Sequence, residues 1–217
     1  MATVLTELEA VNAALRLLGR RPVNSLLPAD LPPDAAFILE ELRYQNRLVQ
    51  EQGWHFNTEN SAKLLKNASE RVPIADDIAR VDTAKRYGRT NFGIDPIVRV
   101  HPTDGRCLYD KTALTRDEDP FDFSHTSEVR VDLVRLLDFE ETPSSFRHYI
   151  TVRAGRAVQA RIIADPTLYR LTLDDEARAL QVLMKEELDT SDASALNARG
   201  IRQWTRRRSP LGWLESI

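Results

Sequence analysis

Apolar residues recur every three or four positions before residue 53 and after residue 143, and between these points they alternate with polar residues. The first spacing predicts amphipathic α-helices and the second predicts β-strands. Thr6 and Glu9 fit a capping box at the start of a first helix, and Gly19 fits its end. The predicted apolar stripe of this helix comprises Leu8, Val11, Leu15 and Leu18.

A second helix is predicted from Pro33 or Asp34 to Gln52, because proline is favoured in a first helical turn and Gly53 fits the position that follows a helix. Its predicted stripe comprises Ala35, Ile38, Leu42 and Val49. The short linker between the two amphipathic helices favours an antiparallel pair.

At Gly53 the spacing of apolar residues changes from the helical period to alternation. Trp54, Phe56 and Thr58 alternate with the polar residues between them, which predicts a strand over residues 54–59. Because the rings of Trp54 and Phe56 then point to the same side, we assign Gly53, Trp54 and Phe56 to a seam between the helical and β-rich parts. The alternative is that Trp54 is an ordinary core residue.

Prolines and glycines separate short alternating runs from residue 54 to residue 141, as is typical of antiparallel β structure. The clearest predicted strands are Ser61–Leu65, Ile97–His101, Cys107–Lys111 and Val129–Phe139. A hairpin through Asp104 and Gly105 pairs the second of these strands with the third. For Ile74–Val81 the pattern leaves open a loop or a short helix.

Helical spacing returns after Pro143, where Ser144 or Ser145 can cap a third helix. Its predicted stripe comprises Phe146, Ile150, Ala154, Ala157 and Ile162. A fourth helix is predicted from about Leu173, with the acidic residues 174–176 in a first turn where the helix dipole favours anions. Its predicted stripe comprises Ala177, Leu180, Leu183, Met184 and Leu188.

These elements predict an α+β fold, in which an antiparallel helical bundle is split by an inserted antiparallel β-rich domain. We assign residues 1–52 and 143–198 to the bundle, residues 53–142 to the insert, and residues 199–217 to a basic and aromatic C-terminal tail. Neither pair of helices can bury its apolar stripe alone, so we expect the two halves of the bundle to pack together.

Composition narrows the class of protein. The 217 residues are 42% apolar and 29% charged, as in ordinary globular proteins. No apolar run approaches the length of a membrane span and no signal peptide is visible, so we expect a soluble protein made in a cytoplasm, with no membrane partner. The single cysteine, Cys107, cannot form an internal disulfide and is expected to fill space in a strand rather than act as a nucleophile.

No catalytic, metal or cofactor site is indicated by motif. The four histidines lack the spacing of metal ligands, and the chain has no phosphate-binding glycine loop. Two pairs of adjacent acids, Asp76/Asp77 and Glu140/Glu141, could serve glycoside hydrolysis, but adjacent acids usually point apart. We expect these acids to lie at the solvated surface.

Positive charge is concentrated at the C-terminal end. Residues 199–217 hold five arginines and one acid and carry +4, so the rest of the chain carries −7 against a total of −3. We predict a partner-binding segment formed by Arg199, Arg202, Trp204, Arg206, Arg207, Arg208, Leu211, Trp213 and Leu214. Arginine binds DNA phosphates or protein carboxylates, and the apolar anchors favour a protein groove. Base stacking on single-stranded nucleic acid and an unstructured solvated end are the alternatives.

Six ordered blocks resemble the tail tubular protein A family of T7-like podophages, and together they span roughly residues 8–190. They are Ala10–Gly19 (AVNAALRLLG) with Pro22 and Val23, Gln52–Asn57 (QGWHFN), Leu108–Lys111 (LYDK), Arg135–Pro143 (RLLDFEETP) with Phe146 and Arg147, Ala157–Arg161 (AVQAR), and Asp175–Arg178 (DEAR). The segment 202–217 lies outside this resemblance.

The resemblance implies a structural virion protein of the bacteriophage tail, without enzymatic activity or cofactor. It implies an adaptor (gatekeeper) ring, commonly of twelve copies, that joins the portal protein to the tail nozzle, tubular protein B. Genomic DNA would pass through the channel of this head-tail connector during ejection without sequence-specific binding. The ring would belong to the virion tail and be assembled in the host cytoplasm.

Two other functions compete with this one. A tail-associated polysaccharide hydrolase requires an acid pair that faces a cleft. A DNA-binding protein requires a basic face on the folded body. The sequence shows neither feature.

Overall fold

The computed structural model describes residues 5–86, 89–90, 94–126, 128–163 and 165–190. Within these ranges the chain forms four α-helices: α1 (Glu7–Leu17), α2 (Pro33–Gln50), α3 (Ser144–Ile162) and α4 (Pro166–Thr190). The described strands are β1 (Thr58–Leu64), β2 (Ile78–Thr83), β3 (Lys85–Arg86), β4 (Arg89–Thr90), β5 (Pro96–His101), β6 (Gly105–Asp110) and β7 (Val129–Arg135). The predicted α+β class is confirmed.

The first two helices begin where the sequence predicted. At α1 the hydroxyl of Thr6 accepts from the backbone N–H of Glu9, and the Glu9 carboxylate accepts from the backbone N–H of Thr6, so the capping box is complete. Gly19 follows with φ +65, a conformation that favours glycine. Pro33 occupies the first turn of α2, which ends at Gln50 rather than at Gln52.

The last two helices differ from the predicted ones. Pro143 is the N-cap of α3, and neither Ser144 nor Ser145 caps it. Helix α4 begins at Pro166 and not near Leu173, because the Asp165 carboxylate accepts from the backbone N–H groups of Thr167 and Leu168 and caps the earlier start. The acids at 174–176 therefore lie in mid-helix.

One hydrophobic core unites the four helices. Val11 and Leu15 from α1 and Ile38 and Leu42 from α2 pack with Ile150 and other residues of α3. Its buried residues are Ala10, Val11, Ala14, Leu15, Ala35, Ile38, Leu39, Leu42, Val49, Trp54, Phe139, Phe146, Tyr149, Ile150, Ala154, Val158, Ala179 and Leu183. Residues from both sides of the β-rich part thus share a core. Ala157 and Ile162 of the predicted α3 stripe are not in it, and Val158 is.

The strands of the β-rich part form antiparallel sheets. Strand β7 lies between β1 and β2, strand β5 pairs with β6, and strand β3 pairs with β4. The predicted hairpin is confirmed, since β5 and β6 pair from Pro96–Asp110 to His101–Gly105 and Gly105 has φ +69. Residues 74–81 are neither a plain loop nor a helix, because β2 begins at Ile78.

A second core lies beneath these strands. Val129, Val131 and Leu133 lie at alternate positions along β7 and are buried, so one face of the strand is apolar. Val72, Ile74, Ile78, Val81, Leu108 and Phe123 complete this core. Strand β7 ends at Arg135, four residues before the predicted end at Phe139, and a 3-10 turn occupies Phe139–Glu141. None of the described helices is long and apolar enough to cross a membrane.

Candidate interaction surfaces

The predicted seam residue Gly53 lies where α2 gives way to the β-rich part. Its φ is +82, so an L residue would be strained there. A Cβ atom at this position would lie 3.0 Å from Nη2 of Arg80 and 3.1 Å from Cγ2 of Val134. A side chain at this position would therefore crowd the side chains of Arg80 on β2 and Val134 on β7.

The predicted strand over residues 54–59 is wrong in its first half. His55–Asn57 form a 3-10 turn, and β1 begins only at Thr58. The cause is the Asn57 amide, whose Oδ1 accepts from the backbone N–H of Trp54 at 2.7 Å and closes the turn. The rings of Trp54 and Phe56 nevertheless both contact Phe146 of α3 edge-on, at centroid distances of 6.1 and 4.9 Å.

Two side-chain amides join the helical part to β7, and sequence reasoning missed both. Gln50 is fully buried, and its amide donates to the carbonyl of Leu137 and accepts from the N–H of the same residue, each at 2.8 Å. The amide of Asn57 donates to the carbonyls of Gln50 and Arg135 at 3.0 and 2.9 Å. Helical spacing places Gln50 on the buried face of α2, but its partner is 87 residues away and leaves no local signal.

Charged side chains hold α4 against α3. Glu176 is buried and accepts from Nε of Arg156, and Nη1 of Arg153 lies 3.6 Å from its carboxylate. Burial alone would lower the pKa of Arg156, but the Glu176 carboxylate and Tyr169 raise it. Arg153 also donates to Gln45 of α2 at 2.7 Å. These bonds fix the rotation of α4 about its own axis, because Glu176 must face α3.

The outward side of α4 is apolar. Its exposed residues include Leu173, Met184 and Leu188, with 45%, 50% and 65% of their surfaces accessible. A shallow groove of about 510 Å³ runs along this side. Its lining residues are Ala177, Leu180, Gln181, Met184, Lys185, Leu188 and Asp189. Four of the five residues in the predicted stripe of this helix thus line a surface groove, and Leu183 alone of the five is buried in the core.

The predicted partner-binding segment lies outside the described residues. This applies to Arg199, Arg202, Trp204, Arg206, Arg207, Arg208, Leu211, Trp213 and Leu214. The described chain ends at Thr190, the last residue of α4.

The candidate catalytic acids are engaged separately. Asp77 pairs with Arg135 on β7, whereas Asp76 lies 3.4 Å from Arg106 on β6. The Glu141 carboxylate accepts from the backbone N–H of Asp138 in a 3-10 turn. Asp76 and Asp77 therefore pair with arginines of two different strands.

Other reactive side chains serve the fold. Burial raises the pKa of the Cys107 thiol, which disfavours the nucleophilic thiolate. Among the described residues no cluster of three or more histidines, cysteines or acids could hold a metal ion.

Comparison with models of known protein families identifies the class of protein to which the chain belongs. A model of the family described as tail tubular protein matches residues 8–193. The match covers most of the chain, and the protein belongs to the tail tubular protein family. It is a structural protein of the bacteriophage tail, located in the virion tail. No curated protein matches the chain.

Proposed function

We propose that this tail protein is the adaptor subunit that joins the portal protein to the tail nozzle, tubular protein B. Copies of the chain, twelve in our proposal, form a ring whose channel passes genomic DNA during ejection. The observation that carries the proposal is the family match over residues 8–193, since tail tubular proteins are assembly components of the tail. The protein acts by binding, without catalysis.

The helical part and the β-rich part have different roles in the proposed ring. The helical part supplies the ring wall, and the β-rich part reaches toward the next tail component. The hydrogen bonds of Gln50 and Asn57 at the seam favour this arrangement, because they fix the direction in which the β-rich part leaves the bundle. A projecting part that must meet a partner in one orientation needs such a rigid attachment.

Residues 199–217 supply the docking element in this proposal. Five arginines suit a carboxylate-rich protein groove, and Trp204, Trp213 and Leu214 supply apolar anchors. The acceptor is the portal or an adjacent subunit. DNA passes through the channel without being read, in keeping with a net charge of −3.

Negative-stain electron microscopy of the purified protein with and without its portal tests the proposal. We expect a ring of added density at one end of the portal, with the portal alone as the control. Addition of the nozzle protein should extend the same end. If no ring forms on the portal, or if the nozzle binds the portal equally well without this protein, the adaptor role is wrong.

A further inference from the structure

Helix α4 carries two stripes, and the more polar one faces the bundle. The buried stripe consists of Thr172, Glu176, Ala179 and Leu183. The other, which we call the outer stripe, consists of Leu173, Ala177, Leu180, Met184 and Leu188. The members of the outer stripe follow one another at spacings of three and four residues, which places them along one face of the helix.

The outer stripe resembles a helix-binding or peptide-binding surface. Leu173, Ala177, Met184 and Leu188 are exposed, and Leu180 is partly packed against the core. The hydrogen bond between Glu176 and Arg156 holds the polar stripe of α4 against the bundle. Rotation of α4 about its axis, which would bury the outer stripe instead, would break this bond. Contiguous apolar surface of this kind marks interaction sites more often than it marks ordinary protein surface.

The charged residues that line the groove along the outer stripe are Lys185 and Asp189. Glu186 and Glu187 line a different groove beside His55 and Phe56, and the Glu187 carboxylate accepts from the backbone N–H of His55 at 2.7 Å. A peptide that fits the outer stripe therefore combines apolar anchors with a cation that pairs with Asp189.

Residues 199–217 of the same chain have this composition. They carry +4 and include Trp204, Leu211, Trp213 and Leu214. Residues 191–217 follow α4 directly and reach up to about 90 Å when extended, which is enough to cross to a neighbouring molecule. A ring built from one kind of subunit needs two different complementary surfaces on each copy. The outer stripe and the segment 199–217 form such a pair.

We propose that the outer stripe of α4 binds residues 199–217 of an adjacent copy, so that each subunit holds the next around the ring. This inference rests on the proposed adaptor ring and names one of its contacts. Tryptophan and leucine side chains lie along the stripe, and an arginine of the segment pairs with Asp189.

A peptide titration tests the surface itself. The probe is a fluorescent synthetic peptide of residues 199–217, and the receptor is protein truncated after Ala198. We expect saturable binding that Ala177→Gln with Met184→Gln weakens about tenfold or more, because apolar burial is lost while the charge is unchanged. Val182→Gln is the matched control, since Val182 is an exposed apolar residue of α4 outside the stripe. The absence of binding, or equal weakening by the control, overturns the proposal.

A cross-linking experiment tests whether the segment comes from a neighbour. Full-length protein with photoreactive benzoylphenylalanine in place of Met184 is mixed with an excess of uniformly ¹⁵N-labelled wild-type protein and assembled on the portal. We expect cross-linked peptides from residues 199–217 to carry both isotopes in the proportion of the mixture. Cross-links to unlabelled peptide alone would show that the segment folds back on its own helix, which overturns the proposal.

Two further outcomes separate this inference from the adaptor role. A ring seen by microscopy without any cross-link to residues 199–217 overturns the contact and leaves the ring intact. The absence of a ring on the portal overturns both.

Discussion

The buried amide of Gln50 is one of the two side-chain amides that join the helical part to the β-rich part. It satisfies both backbone groups of Leu137. A buried polar group that loses its partner retains the full cost of its removal from water.

Gln50→Ala should therefore lower the free energy of unfolding by about 1–3 kcal/mol, since the N–H and C=O of Leu137 lose their partner. Urea denaturation followed by tryptophan fluorescence measures this change. Gln52→Ala is the control, because Gln52 is exposed, and it should change stability by less than about 0.5 kcal/mol. Equal stability of the two variants would show that Gln50 does not hold the seam.

The contribution of the Asp110 carboxyl group to stability depends on pH and provides a second test at the scale of a single residue. It is 1% exposed, and its carboxylate accepts from the N–H groups of Asp95 and Thr112 and from Nη2 of Arg116. Burial alone would raise the pKa of Asp110, but the hydrogen bonds from Thr112, Asp95 and Arg116 hold the pKa below its ordinary value. A carboxyl with a lowered pKa in the folded state stabilises the fold above its unfolded pKa and loses that contribution as the pH falls through the folded pKa.

The difference in unfolding free energy between wild type and Asp110→Asn should therefore be largest above about pH 5 and shrink in more acidic solution. Denaturation curves at a series of pH values measure it. Asp174→Asn, at an exposed position of α4, is the control and should leave the pH dependence unchanged. A difference that grows on acidification would contradict the assigned hydrogen bonds.

At the scale of elements, the helical core depends on helices from both ends of the described chain. Leu15 of α1 is 2% exposed and Ile150 of α3 is fully buried, and both belong to one core. Leu15→Ala and Ile150→Ala should each cost about 2–5 kcal/mol, because each leaves a cavity in a packed core. Thermal and urea unfolding measure the loss.

Leu65→Ala is the control for these two variants, since 74% of the Leu65 surface is exposed. It should have little effect on stability. If Leu15→Ala or Ile150→Ala is as mild as this control, the two ends of the chain do not share a tightly packed core.

Local signals predicted the elements whose causes are local. The capping box of Thr6 and Glu9, the proline at the start of α2 and the glycine in the β5–β6 hairpin each act within a few residues. The 3-10 turn at His55–Asn57 was missed because the Asn57 amide outweighed the alternation of Trp54 and Phe56. The predicted start of α4 was too late in the chain, because the capping role of Asp165 was not recognised.

The interaction surfaces were less predictable, because they depend on distant partners. The apolar spacing of α4 was visible, but the side that packs inward was set by Glu176, which bonds to Arg156 of α3. Sequence periodicity therefore identified residues of an apolar stripe without showing that most of them face outward. Gln50 and Asn57 were missed for the same reason, since their partners lie on or beside β7.

For the whole molecule, we expect the isolated chain to be a monomer or small oligomer that forms its ring on a preformed portal. In the proposed assembly each contact between copies is weak alone, and binding to the portal makes many of them simultaneous. Size-exclusion chromatography with light scattering at micromolar concentration measures the mass. A stable ring in the absence of any partner would contradict this expectation.

Deletion of residues 199–217 tests the docking segment in the intact system. The described cores contain none of these residues, so the truncated protein should unfold at the same temperature as the full chain. Its attachment to portal-bearing heads should be abolished, which sedimentation of the heads with bound protein measures. Attachment at unchanged affinity would show that the segment is not the docking element.

The core shared by α1, α2 and α3 has a consequence for synthesis on the ribosome. Translation proceeds at about 5–20 residues per second, so residues 51–143 separate the emergence of α2 from that of α3 by several seconds. During that interval Val11, Leu15 and Ile38 belong to a nascent chain whose packing partners on α3 do not yet exist. The β-rich part can reach its own core first, and the bundle closes only when α3 leaves the exit tunnel. Chaperones that bind exposed apolar segments would therefore meet this chain at its N-terminal helices.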